Sequence, residues 1–220
     1  MYILICGGGF IGKGITKELV ELKHDVVAID TDIEVCEEIF AKYGAVTIQG
    51  NATDIETLES AGIDRCDVAV AVMGNDSDNL AFAMLAKHFD VPHIIVRMED
   101  PKYEDVLKTI GIQNIANVAK FLIDQIMVNI GSPELRKVIS FGDVDICNFD
   151  ISEKAQCVGK TIAEIVCYEG FPRKCTITCI YDESSNTFLI PRGDYVLKPN
   201  DRVFLCGLMI DIKEAIRYLM

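Results

Sequence analysis

The sequence predicts an α/β fold, a doubly wound parallel sheet, followed by a small α+β domain. Three observations predict it. Short apolar runs alternate with helical patterns up to about residue 116, at 3–6, 26–29, 45–48, 68–72, 93–96 and 112–115. These runs are almost continuously apolar, as strands buried on both faces of a parallel sheet must be. The first run leads directly into Gly7-Gly8-Gly9-Phe10-Ile11-Gly12, a G-x-G-x-x-G placed between a strand and a helix. Right-handed crossovers and a 3-2-1-4-5-6 strand order are the expected topology, with a binding site above the carboxyl ends of the strands.

Each element has its own warrant. After the first strand, Gly7 allows a tight turn, Gly9 lets the backbone approach a phosphate, and Gly12 lets the helix pack closely. The unpaired N–H groups of that helix then face an anion, helped by the helix dipole. Ile11, Ile15 and Leu19 mark the buried face of the helix. The second strand ends at Asp30, where a carboxylate is placed to hold the ribose hydroxyls of an adenosine. A glycine-rich turn in an ordinary βαβ unit is the plainer alternative. Thr53-Asp54-Ile55-Glu56 reads as a capping box opening the third helix, and Leu80, Met84 and Leu85 lie along a face of the fourth.

Residues 118–130 read as a helix that is apolar around most of its circumference, with Lys120, Asp124, Gln125 and Asn129 as its polar positions. Such a helix must be covered on more than one side. A partner subunit is the favoured second surface, with the chain's own C-terminal region as the alternative. Ser132-Pro133 breaks the helix. Strands follow at 137–141 and 144–151, joined by a Gly142-Asp143 turn, and Thr161-Ile162-Ala163-Glu164 is a capping box for a short helix. Three more strands, at 175–181, 187–190 and 202–207, and a closing helix at 210–219 complete the second domain. The expected organisation is 1–117 for the sheet domain, 118–134 for a crossover helix and linker, and 135–220 for the C-terminal domain.

Half of the 220 residues are hydrophobic and a quarter charged, the composition of a globular chain with a sizeable core. No run of 18 uncharged apolar residues occurs and the chain opens directly on its first strand, so neither a membrane span nor a signal peptide is expected. The nine cysteines are odd in number and lack any C-x-x-C, which reads as small core residues in a reducing cytoplasm. Cys175 and Cys179 are expected on one strand face, leaving a thiol or metal pair open there. The net charge is −13, and residues 1–117 carry most of it, with 9 Lys and Arg against 20 Asp and Glu. An acidic chain without a basic stripe repels phosphate backbones and anionic lipid, which argues against a nucleic-acid partner. His24, His88 and His93 have no metal-ligand spacing.

Taken together, several segments resemble a regulatory RCK subunit (regulator of potassium conductance) of the TrkA/KtrA type from bacterial and archaeal potassium uptake systems. They include the glycine loop, Ala28-Ile29-Asp30-Thr31-Asp32, Gly50-Asn51-Ala52-Thr53, Val72-Met73-Gly74-Asn75-Asp76 and Arg97-Met98-Glu99-Asp100-Pro101. In the second half they are Val158-Gly159-Lys160-Thr161-Ile162 and Pro191-Arg192-Gly193-Asp194-Tyr195, the latter running on through Lys198-Pro199-Asn200-Asp201-Arg202. The resemblance implies a Rossmann-like nucleotide-binding domain. In it, Gly7, Gly9, Phe10, Ile11 and Gly12 line the phosphates, Asp30 with Thr31 takes the ribose, Asn51 and Ala52 lie near the adenine, and Met73 and Gly74 form the far wall. Arg97 either pairs with phosphate or makes a structural ion pair with Glu99 or Asp100. The resemblance further implies cytoplasmic homodimers assembling into a ring on a potassium-translocating integral membrane subunit, without insertion of this chain into the membrane.

Two departures bear on the ligand. Phe10 stands where some ATP-discriminating relatives carry a basic residue, and no glutamate lies near 116–118, where some of them have one. No arginine follows Asp30, which argues against NADP. NAD(H) is therefore the expected ligand, with ADP, ATP or AMP as alternatives, and cyclic di-AMP as a second effector near Pro191 and Arg192 across a C-terminal dimer. Asn200 replaces a frequent glycine and is expected to take a left-handed turn. Two other function classes remain open: a small NAD-dependent oxidoreductase and a nucleotide-binding interaction module unrelated to transport. The first needs an acid/base residue in the second domain, which contains no histidine, so no enzyme is expected.

Overall fold

The computed structural model describes residues 1–220, the side chain of Phe141 excepted. The chain divides into two compact units, Met1–Leu122 and Ile123–Met220, and their boundary falls inside a helix. The first unit alternates β1 (Tyr2–Cys6), α1 (Phe10–Glu21), β2 (Asp25–Asp30), α2 (Ile33–Tyr43), β3 (Val46–Gln49) and α3 (Ile55–Ser60). It continues with β4 (Val68–Ala71), α4 (Asp76–His88), β5 (His93–Met98), α5 (Lys102–Thr109) and β6 (Asn114–Asn117). The six strands pair in parallel in the order β3-β2-β1-β4-β5-β6, the predicted topology. Leu4, Ile5, Cys6, Val27 and Ile29 are buried, which is why these strands read as unbroken apolar runs.

Most element ends shift by a residue or two from the sequence reading, and two of the differences have a clear local reason. The cap of α3 is Asp54 rather than Thr53: the Asp54 carboxylate accepts from the Thr57 N–H at 3.2 Å. Thr53 is instead engaged by Asn51, whose Oδ1 accepts from both its N–H and its hydroxyl at 2.9 Å. The sixth strand begins at Asn114, two residues later than predicted. Gly111 (φ +87°) closes α5 in a left-handed turn, with its N–H on the Lys108 carbonyl and the Ile112 N–H on the Leu107 carbonyl. Ile112 is thus the apolar residue that follows a helix stop, buried beside Leu107, and not the start of a strand.

α6 (Val118–Gly131) crosses the boundary between the units. Phe121, Leu122, Ile123, Ile126, Met127 and Ile130 are all exposed, while Val128 is buried in the second core. Two of its polar residues, Asp124 and Gln125, point the other way, while Lys120 and Asn129 are exposed. Gln125 Nε2 donates to the Lys137 carbonyl at 2.7 Å, and Asp124 lies 3.5 Å from Lys137 Nζ, which also pairs with Asp145 at 2.8 Å. The helix therefore shows its apolar side outward.

The second unit holds β7 (Arg136–Phe141), β8 (Val144–Asp150), α7 (Ile162–Val166), β9 (Cys175–Asp182), β10 (Thr187–Leu189), β11 (Arg202–Leu208) and α8 (Met209–Leu219). Its antiparallel sheet has the order β10-β9-β11-β8-β7. The Thr161–Glu164 capping box forms as predicted, and Asn200 takes the left-handed conformation at φ +68°. Cys175 and Cys179 do not share a face. The register with β11 shifts between Phe204 and Leu205, so β9 carries one extra residue, Thr178, and Cys179 turns away from the buried Cys175. Among the described residues, no group of His, Cys, Asp or Glu is placed to hold a metal, and no helix is long and apolar enough to cross a membrane. The thiols of Cys6, Cys36, Cys66, Cys147, Cys157 and Cys175 are buried, and burial raises their pKa, to about 12 at Cys175.

Candidate functional site

β1 pairs with β2 on one side and with β4 on the other, so the loops that leave β1 and β4 diverge and open a crevice above the carboxyl ends of the strands. The cleft there has a volume of about 590 Å³, lined from four segments: the glycine loop, the end of β2, the turn after β3, and the turn after β4 with Arg97 beside it.

The glycines divide into three roles. Gly7 has φ +104°, and a Cβ there would stand 2.9 Å from the Val72 carbonyl. A Cβ on Gly12 would fall 1.9 Å from the Gly7 carbonyl oxygen, so Gly12 is required for α1 to pack on the strand end; it lies behind the cleft wall rather than on it. Gly9 has ordinary backbone angles and nothing within 4 Å of a Cβ, and it lines the cleft. No steric demand within the protein requires glycine at that position.

α1 starts at Phe10 with no side-chain cap and no acidic residue in its first turn, so its electropositive end is left open toward the crevice. Phe10 is 95% exposed. Lys13 on α1 pairs with Glu38 on α2, and that contact, with a second hydrogen bond from Lys42, holds the Glu38 carboxyl down at about 2.

Asp30 closes the loop from the other side. One carboxylate oxygen accepts from the Gly8 N–H at 2.6 Å and the other from the Asp32 N–H at 2.9 Å. A carboxylate has about four acceptor sites, so Asp30 can fix the glycine loop and still receive ribose hydroxyls. Thr31, Asn51 and the buried Ala52 complete this end.

At the other end, Asn79 is fully buried in α4 and organises the turn after β4. Its Oδ1 accepts from the Met73 N–H at 3.0 Å, and its Nδ2 donates to the carbonyls of Met73 at 3.0 Å and Arg97 at 3.1 Å. The Arg97 Nη1 donates to the Met73 carbonyl at 2.9 Å, and Nη2 pairs with Glu99. Asp76 receives the N–H groups of Glu99 and Asp100 at 3.0 and 2.8 Å.

Eleven of the twelve sequence-predicted residues thus meet on one wall system: Gly7, Gly9, Phe10, Ile11, Asp30, Thr31, Asn51, Ala52, Met73, Gly74 and Arg97, with Gly12 behind them. The ion pair weighed for Arg97 forms with Glu99. Sequence reasoning did not single out Ile29, Gly50, Val72, Asn75 and Asp78 as lining residues. The signal for the last two was the polar run Asn75-Asp76-Ser77-Asp78-Asn79, separated by Val72, Met73 and Gly74 from the end of an apolar strand.

Residues 3–118 match the TrkA-N domain and residues 149–220 the TrkA-C domain. The Trk system potassium uptake protein TrkA homolog of Methanothermobacter thermautotrophicus is 31% identical over 219 residues, covering 99% of this chain and 98% of that protein. Among solved structures, the GsuK channel bound to NAD has a TM-score of 0.66 at 19% identity, covering 99% of this chain and 39% of that one. GsuK bound to ADP has a TM-score of 0.53 at 19% identity over 60% of this chain and 35% of that one. At this identity the likeness is one of fold, and this chain spans well under half the length of the GsuK chains.

Proposed function

The chain belongs to the TrkA family, with both a TrkA-N and a TrkA-C domain, and from that premise we propose that it is a cytoplasmic, nucleotide-sensing regulatory subunit acting on a potassium-translocating membrane partner. The observation that carries this reading is the open helix end of α1 facing a cleft, beside a Gly9 for which the protein itself has no steric need. The reading has a ligand preference. Arg97 is the one cation among the described lining residues, against the carboxylates of Asp30 and Asp78. A pyrophosphate diester, with one charge per phosphorus, suits that balance better than the more highly charged ADP or ATP. NAD(H) is the ligand we favour, ahead of ADP, ATP and AMP.

The outward apolar face of α6 supports a homodimer, and dimers assembling into a ring would let ligand binding reach the membrane partner. The ligand acts by its differential affinity for two ring states; about 5.5 kcal/mol swings such a balance from 1:99 to 99:1. A second cleft of about 450 Å³ in the C-terminal unit, lined by Ile190, Pro191, Arg192 and Lys198 among others, is the place for cyclic di-AMP or a similar effector. Hydride-transfer chemistry is disfavoured, because the C-terminal half contains no histidine.

The test is a thermal-shift series with NAD, NADH, ADP, ATP and cyclic di-AMP. Ligand at about 100 times Kd stabilises by about 2.7 kcal/mol, and about 2–4 °C per kcal/mol makes that visible. A shift with NAD(H), lost in Asp30→Ala, is expected. No shift with any adenine nucleotide would refute the sensor reading.

A further inference from the structure

Arg97 stands on the cleft wall with its guanidinium only partly used. Its side chain is 15% exposed; Nη1 is held by the Met73 carbonyl, Nη2 by Glu99, and the buried Nε has no partner among the described residues. A guanidinium presents five N–H donors in a planar fork that fits a carboxylate or a phosphate through two parallel bonds. Glu99 takes it by one oxygen on one nitrogen. The pair is therefore under-satisfied on the arginine side.

We propose that Glu99 is an internal counter-anion, displaced from Arg97 by a phosphate of the ligand, and that it thereby sets the affinity of the cleft. The inference rests on the nucleotide reading above. A phosphate spanning Nε and Nη2 would satisfy the donor that Glu99 leaves unpaired. The exchange needs little else to move. Met73, itself fixed by the fully buried Asn79, keeps Nη1 in place. The backbone of Glu99 is anchored by Asp76, so the strand end stays put when the side chain swings away. The Glu99 side chain is already 56% exposed, and its released carboxylate passes into water without a burial penalty. Because every bound phosphate must first replace this anion, the affinity is lower than the bare arginine would give.

NADH titrations by calorimetry on the full chain decide the matter, using the parent, Glu99→Gln, Arg97→Gln and the double variant. Glu99→Gln is expected to bind about two- to fivefold more tightly, the fold-change a half-exposed ion pair commands. Arg97→Gln is expected to bind more weakly, and adding Glu99→Gln to it should bring no gain. Unchanged or weaker binding by Glu99→Gln would overturn the proposal, since Glu99 would then be positioning Arg97 rather than competing for it. A gain that persists without Arg97 would also overturn it, as diffuse charge repulsion. If neither the parent nor Glu99→Gln binds NADH, ADP or ATP, the nucleotide reading itself falls; binding by the parent without a gain removes the counter-anion alone.

Discussion

Gly9 and Gly12 are both glycines of one loop, yet they should respond to the same substitution in opposite ways. Gly12→Ala forces a methyl group into the Gly7 carbonyl, a backbone atom that cannot yield cheaply. We expect a loss of about 3 kcal/mol in urea unfolding, at the upper end of overpacking costs. Gly9→Ala meets open space, so its stability should stay within about 0.5 kcal/mol of the parent. Its nucleotide affinity should fall by more than about tenfold, because the methyl group would occupy the approach to the phosphates. Equal affinity for Gly9→Ala and parent would mean that the glycine is incidental. The close packing at Gly12 was legible in the sequence, since motif spacing encodes backbone space. The pairing of Arg97 was not: Glu99 and Asp100 both follow it closely in sequence, and they part because the Asp100 carboxylate accepts from the Lys102 N–H at 3.0 Å while the Glu99 side chain reaches Arg97. Asn79 was invisible for a related reason, because its partners are backbone groups of two separate segments.

Among the elements, α6 was the most readable and carries the sharpest test. Its apolar circumference predicted a second covering surface, and Asp124 and Gln125 turn to Lys137 while Phe121, Ile123, Ile126 and Met127 stay exposed. An Ile123→Asp, Met127→Asp chain is expected to halve the mass of the parent assembly in light scattering, with its circular dichroism unchanged. An unchanged mass would show that the dimer forms elsewhere. Element boundaries were less legible. Thr53 and Asp54 both suit a cap, and only the capture of Thr53 by Asn51 decides between them. The apolar Ile112 looked like strand because apolar residues after a helix stop and at a strand start have the same composition. The extra residue in β9 left no mark at all, since Thr176, Thr178 and Cys179 suit either face of a sheet.

For the whole molecule, the decisive fact is that each unit has a core of its own. The clusters around the parallel sheet draw on residues up to Ile115, and the cluster of the antiparallel sheet begins at Val128. Scanning calorimetry is expected to resolve two transitions, with NADH raising one of them and leaving the other in place. A single transition displaced as a unit would show that the two cores unfold together. The burial of the thiols has a practical corollary for such work. Cys167, next to α7, is exposed, Cys179 and Cys206 are half-buried, and the other six are buried with protonation favoured. The thiolate is the reactive form, so a maleimide dye added to the natural sequence will label Cys167 first, giving the C-terminal unit a fluorescent reporter without any engineering.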